Sequence, residues 1–374
     1  MASINTISRS VKYGLYFAAS WPGAPFSILH KFFWTIFFCI LHIFQYSYLI
    51  MNYKYDALTE IIDNISICLP HSLVCIKLFT AWTQNTLIRN ILLSMEEECQ
   101  KYAIMDTDNL ISKTAYLSYR LTSTIICTCV ASTVFYAIGI FSHQEVNVTK
   151  SRELLLKMNL PFDTNKSPIY EFVIIIQYFY QVSAAFVFGV FAAFLLMIVL
   201  HVGCQIDIMC QTLMKTTHRD QKKLKFFIKR HQEIILLADK IEKFFTYIAL
   251  SQLVSNTLIT CCLGYLIVIT LHLGNNIILI KYIMFYVAVC SEAFIYCFAG
   301  EYLSIKSKLI ADTAYEFLWY NMNPNESRLL IPIILRAQRG FTFTFGKFAT
   351  LSMESFTAIM KASGSYMSVL LAMT

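Results

Sequence analysis

The side chains able to do chemistry in this chain are scattered in ways that exclude most chemistry. His42, His71, His143, His201 and His272 stand singly, and most of the 12 cysteines lie inside apolar runs. No spacing matches a zinc pair or a disulfide framework. There is no glycine-rich phosphate loop and no nucleophile elbow. The expectation is a protein that is not an enzyme and uses no cofactor or metal. Ionisable groups inside otherwise apolar stretches are the more telling residues, because a charge surrounded by hydrocarbon persists only with a partner or a task. Asp63 and Lys77 sit near the two ends of one such stretch, where they are expected to snorkel to water. Glu292 lies within another. Glu354 and Lys361 share a similar face of a third and are expected to pair.

One spacing is regular. Ser352, Ser355, Ile359, Ala362, Tyr366, Val369 and Met373 recur at alternating steps of three and four, which makes one face of a helix with the period of a packed bundle. The first half of that face is small and polar, and the second is bulkier and apolar. By spacing alone it fits either a helix-packing seam or the lining of a pore closed by an apolar ring, where ions stop because water is excluded.

The elements that must position these residues follow from composition. The chain has 374 residues, 57% hydrophobic and only 14% charged, with mean hydropathy +0.57. Soluble domains carry about 25% charged residues, so too few charges exist here to clothe water-soluble surfaces. Aromatic content of 15% excludes disorder. A membrane helix needs about 20 apolar residues. Phe32–Met51, Leu121–Phe141 and Phe172–Leu200 contain no Asp, Glu, Lys or Arg, and neither does Phe244–Ile280, which breaks at Leu273-Gly274-Asn275-Asn276 and resumes to about Gly300. Ile61–Thr80 and Gly346–Met373 complete an all-α, polytopic membrane protein with seven transmembrane helices. No cleavable leader is expected, since the first apolar run starts past residue 30 and is too long for one.

Charge placement orients the chain. The net charge of +7 sits mainly in the segments that share a side with the amino terminus, including Lys215–Lys243, rather than in a patch for nucleic acid. The positive-inside rule then places the N-terminus in the cytoplasm and the C-terminus outside. The sequons at Asn64, Asn147 and Asn165 fall outside in that arrangement and are expected glycosylation sites. The basic, amphipathic Lys222–Arg230 is expected to touch the inner membrane leaflet. A rhodopsin-like receptor would have the opposite sense. It would also carry an acidic-Arg motif after the third span and an Asn-Pro motif in the seventh helix. Neither is present.

In the outer halves of the middle spans, aromatic residues mix with a few polar ones. Ser132, Phe135, Tyr136 and Gly139 share a helical face. Tyr178, Gln181, Phe285 and Tyr286 lie at similar depth. Such a set suits a small apolar volatile with a single polar group.

The last third of the chain carries a family resemblance. Ser291–Gly300, Ala314-Tyr315-Glu316, Leu318-Trp319-Tyr320, Ile333–Gln338, Phe343–Phe348, Leu351–Phe356 and Ser365-Tyr366, in this order and spacing, resemble the last two helices of insect odorant receptors. His231–Gly264 is similar to that family's approach to its fifth helix. Gustatory receptors, the nearest relatives, end their last helix with Thr-Tyr, five apolar residues and Gln-Phe. Here Ala372 stands at the Gln position.

The resemblance implies an odorant-specific subunit of a ligand-gated, non-selective cation channel in the plasma membrane of a sensory neuron dendrite. It would act in a heterotetramer with a co-receptor, whose second cytoplasmic loop is longer than Gln205–Lys243. It also implies an odorant pocket among the second, third, fourth and sixth helices, and a pore lined by Ser355, Ile359, Ala362, Tyr366, Val369 and Met373, with the gate at Val369 and Met373. A cytoplasmic anchor would hold the subunits together through Trp319, Tyr320, Arg336 and Phe348. The implied division is 1–300 for six helices with the ligand-binding outer half, 301–345 for the anchor, and 346–374 for the pore helix. The partners would be co-receptor subunits, a small volatile and membrane lipid, with no nucleic acid. The alternative is a gustatory-type receptor that forms its own channel. A multi-pass transporter would predict internal repeats, and none is visible.

Overall fold

The computed structural model describes residues 6–24, 27–55, 57–106, 108–146, 154–164, 166–215, 221–317, 319–321, 323–341, 343–346 and 348–372. A short amphipathic helix, α1 (Arg9–Phe17), leads into α2 (Ser27–Asn52), α3 (Leu58–Thr83) and α4 (Asn85–Tyr102). Three long helices follow, α5 (Leu110–Val146), α6 (Ile169–Met214) and α7 (Gln221–Leu273), and then α8 (Asn276–Glu316). The short α9 (Pro324–Ser327) and α10 (Leu330–Gln338) precede a two-stranded hairpin, β1 (Thr344–Phe345) and β2 (Ala349–Thr350), and the last helix α11 (Met353–Ala372). Six helices (α2, α3, α5, α6, α7 and α8) are long and apolar enough to cross a membrane, by length and composition. The first six stretches expected to span fall on these helices, most of which run well beyond them, and the seventh falls in part on α11, which is not one of the six.

The core is built around α6. From Val187 to Ile206 every residue of this helix is buried, because α5, α7, α8, α3 and α1 all pack against it. A helix apolar on every side can be satisfied only by being surrounded. Conversely α2 lies at the rim, with Phe32, Phe33, Ile36, Ile40, Ile43 and Ile50 exposed, as suits a lipid-facing surface. The amino-terminal segment, placed by charge on the cytoplasmic side, packs as part of the fold. Val11 and Leu15 of α1 are wholly buried, Ser8 Oγ lies 2.8 Å from Thr122 Oγ1 of α5, and Thr6 Oγ1 lies 2.9 Å from His201 Nδ1 of α6.

Away from the α7–α8 turn, a polar cluster ties α4, α6 and α7 together. Arg230 is 2% exposed. Its Nη2 donates to Glu98 Oε2 at 3.0 Å and to Gln205 Oε1 at 2.6 Å, and its Nη1 donates to Glu233 Oε2 at 3.1 Å. Burial alone would push the Glu98 carboxyl up. The hydrogen bonds and charges of His201 and Arg230 outweigh it and hold the group below the usual carboxylate range. This cluster changes the reading of the basic Lys222–Arg230 stretch. Leu224, Phe227 and Arg230 are buried against the bundle, so the apolar face expected to meet the leaflet is covered by the chain itself, and Lys225 and Lys229 point outward.

The last helix also begins later than its apolar run. Residues expected to be helical from Gly346 form the hairpin turn instead, with Gly346 at φ +55°, a backbone region open to glycine at low cost. Its amide donates to Thr246 O of α7 at 3.2 Å, and the Leu351 amide donates to Phe343 O at 2.7 Å. The hairpin is pressed onto α8 at Gly300, where an added Cβ would collide with the Leu351 carbonyl. Gly300→Ala is therefore expected to destabilise the protein by about 1–3 kcal/mol through overpacking. Thermal unfolding of the detergent-solubilised protein measures this, and an unchanged midpoint would show that the hairpin is not seated there.

Candidate ligand cavity and the carboxyl-terminal helix

Near the end of the bundle that carries the α7–α8 turn, four helices enclose a cavity of about 60 Å³. Helix α3 contributes Ile67, Pro70, His71 and Val74; α5 contributes Cys129, Ser132, Thr133 and Tyr136; α6 contributes Gln181, Ala184, Ala185 and Phe188; and α8 contributes Phe285, Ala288 and Val289. Pro70 lies inside α3, where it withholds a backbone donor and loosens the helix beside the cavity.

Of the residues expected to meet a ligand, Ser132, Tyr136, Gln181 and Phe285 line this cavity. Phe135, Tyr178, Gly139 and Tyr286 do not. Phe135 and Tyr178 are turned outward. Gly139 is packed against the Lys281 side chain, and Tyr286 packs into a second apolar cluster with Leu263, Tyr265 and Leu266. The reason is angular. The inward stripe of α5 is centred on 129, 132, 133 and 136, so 135 lies on its flank. Sequence reasoning missed Pro70, His71, Thr133 and Phe188. A proline followed by a histidine inside an apolar span was the available signal for the first two.

Two ion pairs bracket the cavity, one of them wholly buried and the other with a half-buried carboxylate. On the side of the α7–α8 turn, Lys281 Nζ lies 3.5 Å from Asp63 Oδ1 and 4.5 Å and 4.3 Å above the rings of Tyr136 and Tyr282. On the other side, one turn past Val74 and Ala288, Lys77 Nζ donates to Glu292 Oε1 at 2.5 Å. Lys77 is 0% exposed, so the expectation that it snorkels to water is wrong. Burial of a cation is tolerated because the partner is equally buried, and because Nζ stands 4.0 Å from the centre of the Phe188 ring. Glu292 Oε2 also accepts from Gln252 Nε2 of α7 at 2.6 Å. Asp63 has a partner on α8 and also keeps part of its surface exposed.

Helix α11 packs on α7 and α8. Met367, Leu370 and Leu371 join the cluster formed by Leu263, Tyr265, Leu266, Tyr282 and Val289. Val289 thus touches this cluster and also lines the cavity. Thr260 Oγ1 and Ser363 Oγ, 2.6 Å apart, pin α11 to α7. The expected stripe is split. Tyr366 and Val369 are exposed, but Ile359 is buried in the chain's own core, because Ile359 and Ser363 make the face that meets α7. Ser355 Oγ donates to Thr350 O at 2.7 Å, Ala362 is half-buried, and Met373 lies outside the described residues. Lys361 and Glu354 are both exposed, and among the described residues no ion pair joins them.

At the opposite end of the bundle, Trp319, Tyr320 and Phe348 are exposed at 43%, 65% and 86%, and Arg336 is exposed beside them in sequence order on α10. Of the glycosylation candidates, Asn147 and Asn165 lie outside the described residues. Asn64 is buried within α3, which removes its amide from reach of a transferase.

Residues 57–364 match the family model for the 7tm odorant receptor. The chain belongs to the 7tm odorant receptor family. Odorant receptor 13a of Drosophila melanogaster is 31% identical over 163 residues, covering 40% of this chain and 38% of that protein. Odorant receptor 22c of the same fly is 28% identical over 38% of this chain and 35% of its own length. The chain thus spans well under half the length of these relatives in the matched region. Odorant receptor 24a matches at 21% identity over 95% of this chain and 93% of its own. Among solved structures, the insect olfactory receptor OR5 from Machilis hrabei in complex with eugenol superposes with TM-score 0.81 at 13% identity, covering 97% of this chain and 98% of OR5. At that identity the likeness establishes the fold. The sequence-based assignment to the insect odorant receptors and to a helical membrane-protein fold therefore stands, and the family is one of receptors, not enzymes.

The Lys77–Glu292 pair gives a direct test of the packing. Glu292→Leu leaves a buried, uncompensated ammonium and is expected to cost about 3–5 kcal/mol, with most of that recovered in Lys77→Met/Glu292→Leu. Thermal unfolding of the two single variants and the double variant reads the coupling, and strictly additive losses would show that the two charges are not paired.

Proposed function

We propose that this chain is an odorant-specific subunit of a ligand-gated, non-selective cation channel, acting with co-receptor subunits in a heterotetramer. The observation that carries this reading is the position of α8. Val289 lines the cavity on one side and packs on the other into the cluster that holds Met367, Leu370 and Leu371 of α11. A ligand that displaces α8 must therefore move α11.

Cavity size adds a mechanical argument. A cavity of about 60 Å³ is smaller than the ~150 Å³ that admits benzene in an engineered protein core. An odorant of that size fits only when the lining helices separate. Binding is then stronger to the expanded state, and this differential affinity is what shifts an equilibrium between states. In the charge-based orientation, amino end inside and carboxyl end outside, the cavity occupies the outer half of the membrane. Four copies of α11 around an axis would place Tyr366 and Val369, exposed in the single chain, towards one another. The bulk of Val369 near the outer mouth would exclude water and stop ions. Lys361 lies off that axis. Exposed Trp319, Tyr320 and Phe348, with Arg336, form a surface suited to holding subunits together, so the division into bundle, anchor and pore helix is retained, with the helix itself starting at Met353. The setting is the plasma membrane of a sensory neuron dendrite.

Expression with and without a co-receptor tests this. Odorant-evoked cation current only from the pair is expected. Current from this chain alone, evoked by a sugar or bitter compound, would favour a gustatory-type channel instead. Val369→Ala in the pair should raise resting current at least several-fold, by letting water into the constriction. An unaltered closed state would remove Val369 from the gate.

A further inference from the structure

We infer that the cavity selects neutral volatiles bearing a hydroxyl group, an alcohol or a phenol, over carbonyl, ester and hydrocarbon analogues of the same shape. The inference rests on the reading of this cavity as the ligand site.

Hydrogen-bonding capacity sets the chemistry of the occupant. Four polar side chains other than tyrosine line the cavity: His71, Ser132, Thr133 and Gln181. Two of them have already used their donors. Ser132 Oγ donates to Cys129 O at 2.7 Å, and Thr133 Oγ1 donates to Val130 O at 2.7 Å. The other two have not been satisfied. His71 and Gln181 are only 3% and 8% exposed, yet His71 Nδ1 and Gln181 Oε1 are buried atoms with no hydrogen-bond partner among the described residues. Tyr180 does not serve His71. Its ring lies tilted by 36° against the imidazole at 4.4 Å between centres, and its hydroxyl faces His42 Nδ1 at 3.2 Å. Buried polar atoms are normally paired, so a pair of orphans facing one cavity marks what an occupant should supply.

The amide oxygen can only accept, so the occupant must donate. The imidazole nitrogen either donates or accepts, according to tautomer. A hydroxyl does both and satisfies either tautomer. A carbonyl, ether or ester accepts only, and leaves Gln181 Oε1 desolvated and unpaired. Charged donors fare worse. An ammonium would need a counter-charge, but the nearby carboxylates of Asp63 and Glu292 are already committed to Lys281 and Lys77. The rest of the lining is apolar, so the body of the ligand is hydrocarbon.

The test uses matched triplets: hexan-1-ol, hexanal and hexane, and benzyl alcohol, benzaldehyde and toluene. They are applied to the chain co-expressed with a co-receptor, and separately to the purified protein with thermal stabilisation as the readout. In at least one triplet the alcohol is expected to act at about ten- to a hundredfold lower concentration than its two analogues, as follows from leaving one buried acceptor unpaired. Gln181→Leu should erase the advantage while retaining the response to the hydrocarbon body, and His71→Phe should reduce it. Melting temperatures of the unliganded variants report whether they fold. An aldehyde or hydrocarbon equal to the alcohol in both triplets would overturn the inference. So would an undiminished alcohol advantage in folded Gln181→Leu, or stabilisation by none of the six compounds. Selective stabilisation by the alcohol without any current would uphold the inference and overturn the channel reading. Current without an alcohol preference would do the reverse.

Discussion

Lys77 and Glu292 face each other where no water reaches, and three helices meet through them. The lysine comes from α3 and the glutamate from α8, and Gln252 of α7 supplies the second hydrogen bond to the carboxylate. Inside a bundle neither charge survives alone, because the desolvation of each is offset only by the other. That requirement fixes the relative height of α3 and α8 to within a hydrogen-bond length. It thereby fixes one boundary of the cavity, which lies one turn away along both helices. The matching pair of Asp63 and Lys281 does the same at the other boundary. Between the two pairs the walls are mostly apolar, with His71, Ser132, Thr133, Tyr136 and Gln181 the polar exceptions, and most contacts are non-directional, so the helices there can separate at little cost in hydrogen bonds.

This division of labour explains how a small cavity can sit in a rigid frame. The frame is α6, surrounded along most of its length, and the polar knot of Arg230, Glu98, Gln205 and Glu233 at the far end. From Phe188 at the cavity to His201 beside Glu98 is about 20 Å along α6, so changes at one end are separated from the other by a column of close-packed side chains. Movement is cheaper sideways, through α8, than along α6. Helix α11 lies on that sideways path. It is joined to the bundle by an apolar cluster near the cavity, by the Thr260–Ser363 contact lower down and by the hairpin at Gly300, and its remaining surface is open.

The open surfaces have a common character. Alongside Tyr366 and Val369 on α11, and Trp319, Tyr320 and Phe348 near the hairpin, the single chain leaves large aromatic and aliphatic groups uncovered. On α2 such groups face lipid.

The amino-acid sequence by itself determined the helical membrane-protein class and the likeness to the odorant receptors. These are properties of composition and of order along the chain, and a membrane helix satisfies its own backbone without reference to neighbours. Of the eight residues expected to meet a ligand, four line the cavity, because depth and residue type sufficed for them. The tertiary structure alone decided the rest, since rotation of a helix about its axis is set by what packs against it. That is why Phe135 and Tyr178 turn outward, why Ile359 leaves the expected stripe for the core, and why Pro70 and His71 come to line one cavity with Gln181. It also decided that Lys77 and Asp63 find carboxylate and ammonium partners more than two hundred residues away in the chain, where the local pattern pointed to water. A charge near the end of an apolar run looks the same in sequence whether it reaches solvent or a buried counter-ion, and only the neighbouring helix settles which.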